Sequence, residues 1–244
     1  MATVKDAERL VHASCRSGSL SQVQFYLTAY PDLDINSTHE SGVWTALHEA
    51  CDFGHREAFQ EIAKFRGIDM NKQDRDGRSG LFWAAFRGRN LIVWDLVRDP
   101  RVDVNLPNYR GETPLWKAVS CGHTQVVKYI LAAPVVVDVT ARPKMDTEIS
   151  PFQASVMAEN MGDSSLQALL EAYEQNPDFV KFKLRSELGL TGEFLPFLIA
   201  PSLSLTFFFS LCQIRLWPRP LLWWCSCAMT TFSSRRVWIS RSLL

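Results

Sequence analysis

Histidines, cysteines and clustered acids are the side chains that could carry a reaction, and in this chain their spacing argues against one. General acid–base or nucleophilic catalysis needs a base within reach of the group it deprotonates, with a third group orienting it. The five histidines are His12, His39, His48, His55 and His123. His12 and His39 have no partner identifiable in the sequence, and no GxGxxG, P-loop, HExxH or GxSxG pattern is present. Cys15, Cys51 and Cys121 lie in helix-like segments beside Ala and Val, where a free cysteine acts as a small buried hydrophobe. Cys212, Cys225 and Cys227 follow much later, and Cys225-Ser226-Cys227 lacks a second Cys or His pair at zinc-site spacing. Asp74, Arg75 and Asp76 fall in a turn-like segment and read as a solvated turn. The expectation is no catalytic, cofactor or metal site, and no enzyme.

Charge narrows the classes further. The formal net charge of the 244 residues is zero, with 47% apolar and 21% charged residues, ordinary values for a globular fold. Residues 192–244 hold five Arg and one Glu, leaving 21 basic and 25 acidic side chains before them. Neither part has the dense basic face of a nucleic-acid binder. The first nine residues include Asp6 and Glu8 and no apolar run, unlike a secretory signal. A cytoplasmic protein is expected, with the nucleus also compatible.

What must position these side chains becomes visible when the chain is aligned against itself at a shift of 34 residues. Thr45-Ala46-Leu47-His48-Glu49-Ala50 aligns with Ser79-Gly80-Leu81-Phe82-Trp83-Ala84 and with Thr113-Pro114-Leu115-Trp116-Lys117-Ala118. Gly54, Gly88 and Gly122 coincide, as do Asn71 with Asn105 and Gly77 with Gly111. Thr45, Ser79 and Thr113 are placed to cap helices, and Pro114 suits a first helical position. Ala50, Ala84 and Ala118 let inner helices approach closely, and the three glycines end those helices at positive φ. Second helices follow, with apolar residues at helical spacing: Ala58, Phe59 and Ile62; Ile92, Val93 and Leu96; Val126, Val127, Ile130 and Leu131. Upstream, Ala7–Ser17 and Ser19–Tyr30 read as helix, turn, helix, closed by Asp34-Ile35-Asn36. Downstream, Ser150-Pro151-Phe152 restarts the pattern, with Gly162 about three residues late.

These motifs resemble the ankyrin family, whose unit is a β-turn plus two antiparallel helices with a T-P-L-H-x-A signature. The resemblance implies an all-α solenoid over residues 1–191, with repeats at 6–43, 44–77, 78–111, 112–146 and 147–176 and a helical extension at 177–191. The signature His survives only at His48; Phe82 and Trp116 replace it, so aromatic packing is expected where a hydrogen-bond network would run. His55 and His123 occupy motif positions and are expected to be structural.

The resemblance also implies function by protein binding, by a monomer, through turn tips and the concave inner-helix face. The variable positions carried over are Trp44, Arg75, Arg78, Tyr109, Arg110 and Glu112 on the turns. On the inner helices they are Asp52, Phe53, Trp83, Phe86, Arg87, Ser120 and Cys121. Trp, Tyr, Phe and Arg dominate interface hot spots. Packing between repeats is the competing reading of Trp83 and Phe86. On the surface reading, Trp83→Ala and Tyr109→Ala weaken binding and leave the helical circular dichroism unchanged.

From Gly192 the composition changes. Phe194 to Cys212 is a stretch of 19 residues without a charge, long enough to span a bilayer, with Arg215, Arg219, Trp217, Trp223 and Trp224 as a flank. That is a membrane-anchored adaptor. The preferred reading of 192–244 is a retained intron followed by a frameshifted end. Gly192-Glu193-Phe194 admits a splice-donor sequence, Leu205-Thr206 a branch site, Phe207–Phe209 a pyrimidine tract and Cys212-Gln213 an acceptor, in the required order. Residues from 178 onward then begin a helix whose continuation is lost, and the chain should aggregate through exposed apolar surface. Sequencing of the mature transcript is expected to find the codons for Phe194–Cys212 removed; a mature message that retains them overturns the intron reading.

Overall fold

The computed structural model describes residues 3–38, 44–141 and 164–190. The candidate membrane span, the intron reading of 192–244 and the restart at Ser150-Pro151-Phe152 lie outside them. Among the described residues ten helices run in chain order: α1 Val4–Ser17, α2 Leu20–Ala29, α3 Ala46–Phe53, α4 Arg56–Lys64, α5 Gly80–Phe86, α6 Asn90–Arg98, α7 Pro114–Ser120, α8 Thr124–Leu131, α9 Ser164–Gln175 and α10 Pro177–Glu187. Each odd helix up to α7 pairs with the even helix after it. The inner helices α1, α3, α5 and α7 pack in sequence, and so do the outer helices α2, α4, α6 and α8. The described residues thus form a two-layer helical stack with no strand beyond an isolated bridge between Thr38 and Thr45.

Local chemistry starts each helix where the repeat register expects it. Thr45 and His48 form a reciprocal capping box at α3, and the hydroxyls of Ser79 and Thr113 accept from the backbone N–H of Phe82 and Trp116. Pro114 sits in the first turn of α7. The first helix begins three residues earlier than its apolar pattern suggests, because Thr3 and Asp6 build their own capping box ahead of Ala7.

Ala50, Ala84 and Ala118 are fully buried, as are Leu47, Ile62, Leu81, Ile92, Leu96, Leu115, Ile130 and Leu131. These residues belong to one continuous core that, among the described residues, runs from α1 to α10. Each fully buried Leu or Ile contributes roughly 1.5–3 kcal/mol relative to exposure, and the helices that carry them pack on those of the neighbouring repeats as well as on their own partners.

Three polar ladders accompany the core. Asn36, Asn71 and Asn105 each donate from Nδ2 to a carbonyl of the next repeat, at Gly67 (2.9 Å), Arg101 (2.7 Å) and Val136 (2.9 Å). Each also accepts at Oδ1 from the next repeat's Asp69, Asp103 or Asp138 N–H. Second, His55, Arg89 and His123, one register position past each helix-ending glycine, bond back to carbonyls of the preceding repeat at Arg16, Asp52 and Phe86. Third, the tips at 74–78 and 108–112 close identically: Asp74 and Asn108 accept two backbone N–H groups each, and Tyr109 N donates across to Asp76 O at 3.0 Å. In the outer layer, Arg56 holds Asp95 in a two-bond fork that Gln60 joins.

At the far end, α10 packs against both α9 and α8. Arg185 donates to the Ala132 and Ala133 carbonyls at the C-terminus of α8, at 3.0 and 3.1 Å. It thereby supplies donors that the helix end lacks.

Gly18, Gly54 and Gly88 do two jobs at once. Their φ values of 73°, 86° and 68° are left-handed, and a Cβ on each would strike His55 (2.4 Å), Arg89 (2.7 Å) or His123 (3.0 Å) of the following repeat. Gly122 has φ 71° but open space where a Cβ would sit. Gly122→Ala is therefore expected to cost about 1–2 kcal/mol for the backbone alone, and Gly18→Ala distinctly more. Equal urea midpoints for the two variants would show that the interlock with His55 contributes nothing.

Candidate partner-binding face

The inner helices present three register positions per repeat on one face. They are Ala13, Arg16 and Ser17 in the first repeat, Glu49, Asp52 and Phe53 in the second, Trp83, Phe86 and Arg87 in the third, and Lys117, Ser120 and Cys121 in the fourth. The second repeat supplies two carboxylates and both are buried, one paired with the repeat before and one with the repeat after. Arg16 reaches forward to Glu49 (Nη2–Oε1 2.5 Å) and Arg87 reaches back to Asp52 (Nε–Oδ1 2.5 Å). The guanidiniums also lie against aromatic rings: Arg16 stands 6.0 Å from the Phe53 centroid and Arg87 5.2 Å from Phe86. Lys117 Nζ approaches Phe86 from the fourth repeat at 4.9 Å.

An aromatic run connects this face to the turn tips. The rings of Trp44 and Trp83 meet edge to face with centroids 4.7 Å apart, and Phe86 follows at 5.9 Å. Trp83 is buried, with its indole N–H donating to Asp74 Oδ2 at 3.1 Å while the Arg78 guanidinium stacks over the ring at 4.4 Å. Arg78 also bonds Asp74 (Nε–Oδ2 2.9 Å) and pairs with Asp76. Asp74 is therefore not part of a solvated turn: its carboxylate is wholly buried and accepts four hydrogen bonds, from the backbone N–H of Asp76 and Arg78 and the side chains of Arg78 and Trp83. The turn tip folds over its own acid because the chain needs an acceptor for two loop N–H groups there, and the same carboxylate then captures the tryptophan.

Among the thirteen candidates, the structure brings Trp44, Arg78, Trp83, Phe86, Arg87 and Asp52 into linked contacts, whereas Phe53 lies apart from them against Arg16 and His55. Tyr109 is 66% exposed beside the next tip, and Arg75 and Arg110 are exposed on the tips. Glu112 is half-buried, accepting from Asn108 Nδ2. Ser120 is half-buried and bonds the Lys117 carbonyl. Cys121 is half-buried and caps α7, unlike Cys15 and Cys51, which are buried as expected; burial pushes the Cys15 thiol up to about 12. Asp52 offers no free carboxylate, since Arg87 covers it. Among the described residues no group of acids, His and Cys could hold a metal ion, and no helix is long and apolar enough to cross a membrane.

A family profile described as "Ankyrin repeats (3 copies)" matches residues 10–108 and again 61–143, together more than half of the chain. The chain belongs to the ankyrin-repeat family. Its ankyrin repeats are 28% identical, over 174 residues, to SMC5-SMC6 complex localization factor protein 1 of Bos taurus, covering 63% of this chain and 16% of that protein. They are 32% identical over 72 residues to 26S proteasome non-ATPase regulatory subunit 10 of Dictyostelium discoideum, covering 30% of this chain and 31% of the relative. SH3 and multiple ankyrin repeat domains protein 2 of Homo sapiens is 25% identical over 117 residues, 48% of this chain and 6% of its own length. The chain spans less than a third of each of these relatives. Ankyrin repeats generally mediate protein–protein interaction, and that general role is what the relationship carries.

The one retained ankyrin signature histidine is structural. His48 is fully buried; Nδ1 engages the Thr45 hydroxyl (2.8 Å) and backbone N, and Nε2 faces the Arg78 carbonyl of the next repeat at 3.1 Å. Phe82, its counterpart, is buried, as aromatic replacement implied, while Trp116 is half-buried. What the sequence reading did not identify is the pairing of Glu49 and Asp52 with Arg16 and Arg87, because partners at separations of 33 and 35 residues become visible only when charges are read across the repeat register.

Two outcomes follow. Burial lowers the His48 pKa, with hydrogen bonds and nearby acids opposing it more weakly. A histidine that stays neutral in the fold but protonates when unfolded lowers stability as pH falls below its unfolded value of about 6.5, with the full loss reached below its folded value. His48→Phe, copying the residue at register position 82, should flatten the slope of urea stability between pH 5 and 7; an unchanged slope would assign it to other groups. Trp83→Ala empties a buried site, so a loss of about 3–5 kcal/mol is expected, against the sequence reading that the fold would be untouched. Asp74→Ala should lose about 2–3 kcal/mol and Asp74→Asn less, since Asn108 performs the same loop role with an amide; thermal melts rank the three.

Proposed function

We propose that this chain is a protein-interaction module or adaptor, not an enzyme, and that its partner lies across the turn tips and concave inner-helix face of the second to fourth repeats. The observation that carries the reading is the linked series Trp44, Trp83, Phe86 and Lys117, bordered by Arg78 and Arg87 and continued by exposed Tyr109. Aromatic rings held rigidly by neighbours, with arginines at their edges, make low-entropy anchors for a partner surface. The reading favours a monomeric, cytoplasmic protein without a nucleic-acid or cofactor partner; the membrane-anchored alternative depends on residues 194–212.

Because Trp83 is part of the core, the informative surface variants are Phe86→Ala and Tyr109→Ala. A photoactivatable phenylalanine placed at Phe86 of the full chain should crosslink a discrete partner in cells, whereas the same group at exposed Phe25 on α2 should not. Binding of the captured partner should weaken at least about tenfold, roughly 1.4 kcal/mol, in both Phe86→Ala and Tyr109→Ala, with the melting temperature unchanged in Tyr109→Ala and lowered, but with the fold retained, in Phe86→Ala, whose ring packs against the core. Equal crosslinking from both positions, or unaltered affinity in both variants, would remove this face from consideration.

A further inference from the structure

The inner-helix face sorts its charges by depth. The side chains of Arg16 and Arg87 are 52% and 46% exposed, while those of their partners Glu49 and Asp52 are 1% and 6% exposed. Those two acids are the only carboxylates at the twelve inner-helix positions of the four repeats. Lys117 contacts the Phe86 and Trp116 rings and has no ion pair among the described residues. A molecule lying along these inner-helix positions therefore meets guanidinium and ammonium donors first, with Phe53 (41% exposed) and half-buried Phe86 set between them, and meets no open carboxylate there; the exposed acid Asp76 stands on the turn tip, where it pairs with Arg78.

The acids beneath cancel formal charge without presenting acceptors. Each guanidinium has five N–H donors in a planar fork, and its carboxylate engages it through two nitrogens on one side: Nε and Nη2 in Arg16, and Nε and Nη2 in Arg87. The carboxylates pre-orient the arginines and leave the outer donors to a ligand. Ring stacking on Phe53 and Phe86 restricts the same guanidiniums further, so little side-chain entropy remains to be lost on binding. Three cations spaced over four repeats do not form the dense row that a phosphate backbone needs. Spaced donors alternating with rings match an extended peptide with carboxylates and apolar side chains interspersed.

Resting on the docking face proposed above, we infer that the ligand of this face is an acidic peptide segment, its Asp and Glu carboxylates bonding Arg16, Arg87 and Lys117 and its apolar side chains lying on Phe53 and Phe86. Specificity comes from the missing acceptors: a basic segment would place like charges against these three cations.

Selection of a random, unmodified 12-residue phage-displayed peptide library on the immobilised full chain tests this. Enriched peptides should carry several-fold more Asp and Glu than the input, and synthesised hits should lose affinity about tenfold in Lys117→Glu and between 50 and 300 mM salt. Lys117→Glu alters a half-buried side chain without orphaning a buried acid, so its melting temperature should fall only slightly and circular dichroism should show the helices intact. Hits that are neutral or basic, or no hits at all, overturn the inference. Neutral hits that still bind less to Phe86→Ala leave the docking face standing and remove only its acidic preference, whereas hits indifferent to both variants remove the face as well.

Discussion

An isolated pair of helices eight or nine residues long, such as α3 and α4, has one apolar side and nothing to put against it. Helices this short are marginal in water on their own. Leu47, Ile62, Leu81 and Ile92 become buried only because the repeat before and the repeat after supply the opposite wall. Interfaces between repeats therefore determine everything else: which residues must be small, where glycine is obligatory, and how far a charged side chain can reach. Stability in such a stack is a chain of nearest-neighbour terms, and each polar ladder is a second set of terms laid over the same boundaries.

The ladders divide the work by position. At the inter-repeat turns, Asn36, Asn71 and Asn105 satisfy one donor and one acceptor of the next loop, fixing spacing. Near the helix ends, His55, Arg89 and His123 occupy the volume that a side chain on the preceding repeat's glycine would take. At the tips, a buried acid at Asp74 closes one loop and an amide at Asn108 the next. Where the repeat pattern weakens, another device takes over: Arg185 on α10 meets the carbonyls at the end of α8, and Val137 N donates to the Tyr173 hydroxyl on α9.

Much of this was legible from residue identities. The 34-residue register located the caps at Thr45, Ser79 and Thr113, the alanines of the inner contact and the glycines that end the helices, because each of those roles is decided by local backbone geometry. Asp74 was misread for a physical reason: an acid in a turn is usually solvated, and only the tertiary placement of Trp83 nine residues on buries it. Trp83 itself has the composition of a hot spot and the environment of a core residue, a distinction that depends on Arg78 covering its ring. Arg16 and Arg87 looked unrelated to Glu49 and Asp52 because ion pairs at such separations follow the stack and not the chain.

Those two ion pairs divide ownership of the surface. Arg16 belongs to the first repeat and Arg87 to the third, yet the acids that aim them belong to the second. The repeats are interchangeable as pieces of architecture, since backbone and core recur, but they are not interchangeable as pieces of recognition. A copy inserted between the first and second repeats would preserve a solenoid and take Arg16 away from its acid, one inserted between the second and third would do the same to Arg87, and a shuffle of their order would undo both. The unit that selection can act on for binding is therefore the boundary between repeats, and lineages that gain or lose copies by slippage redraw their binding chemistry in a single step while the fold remains the same.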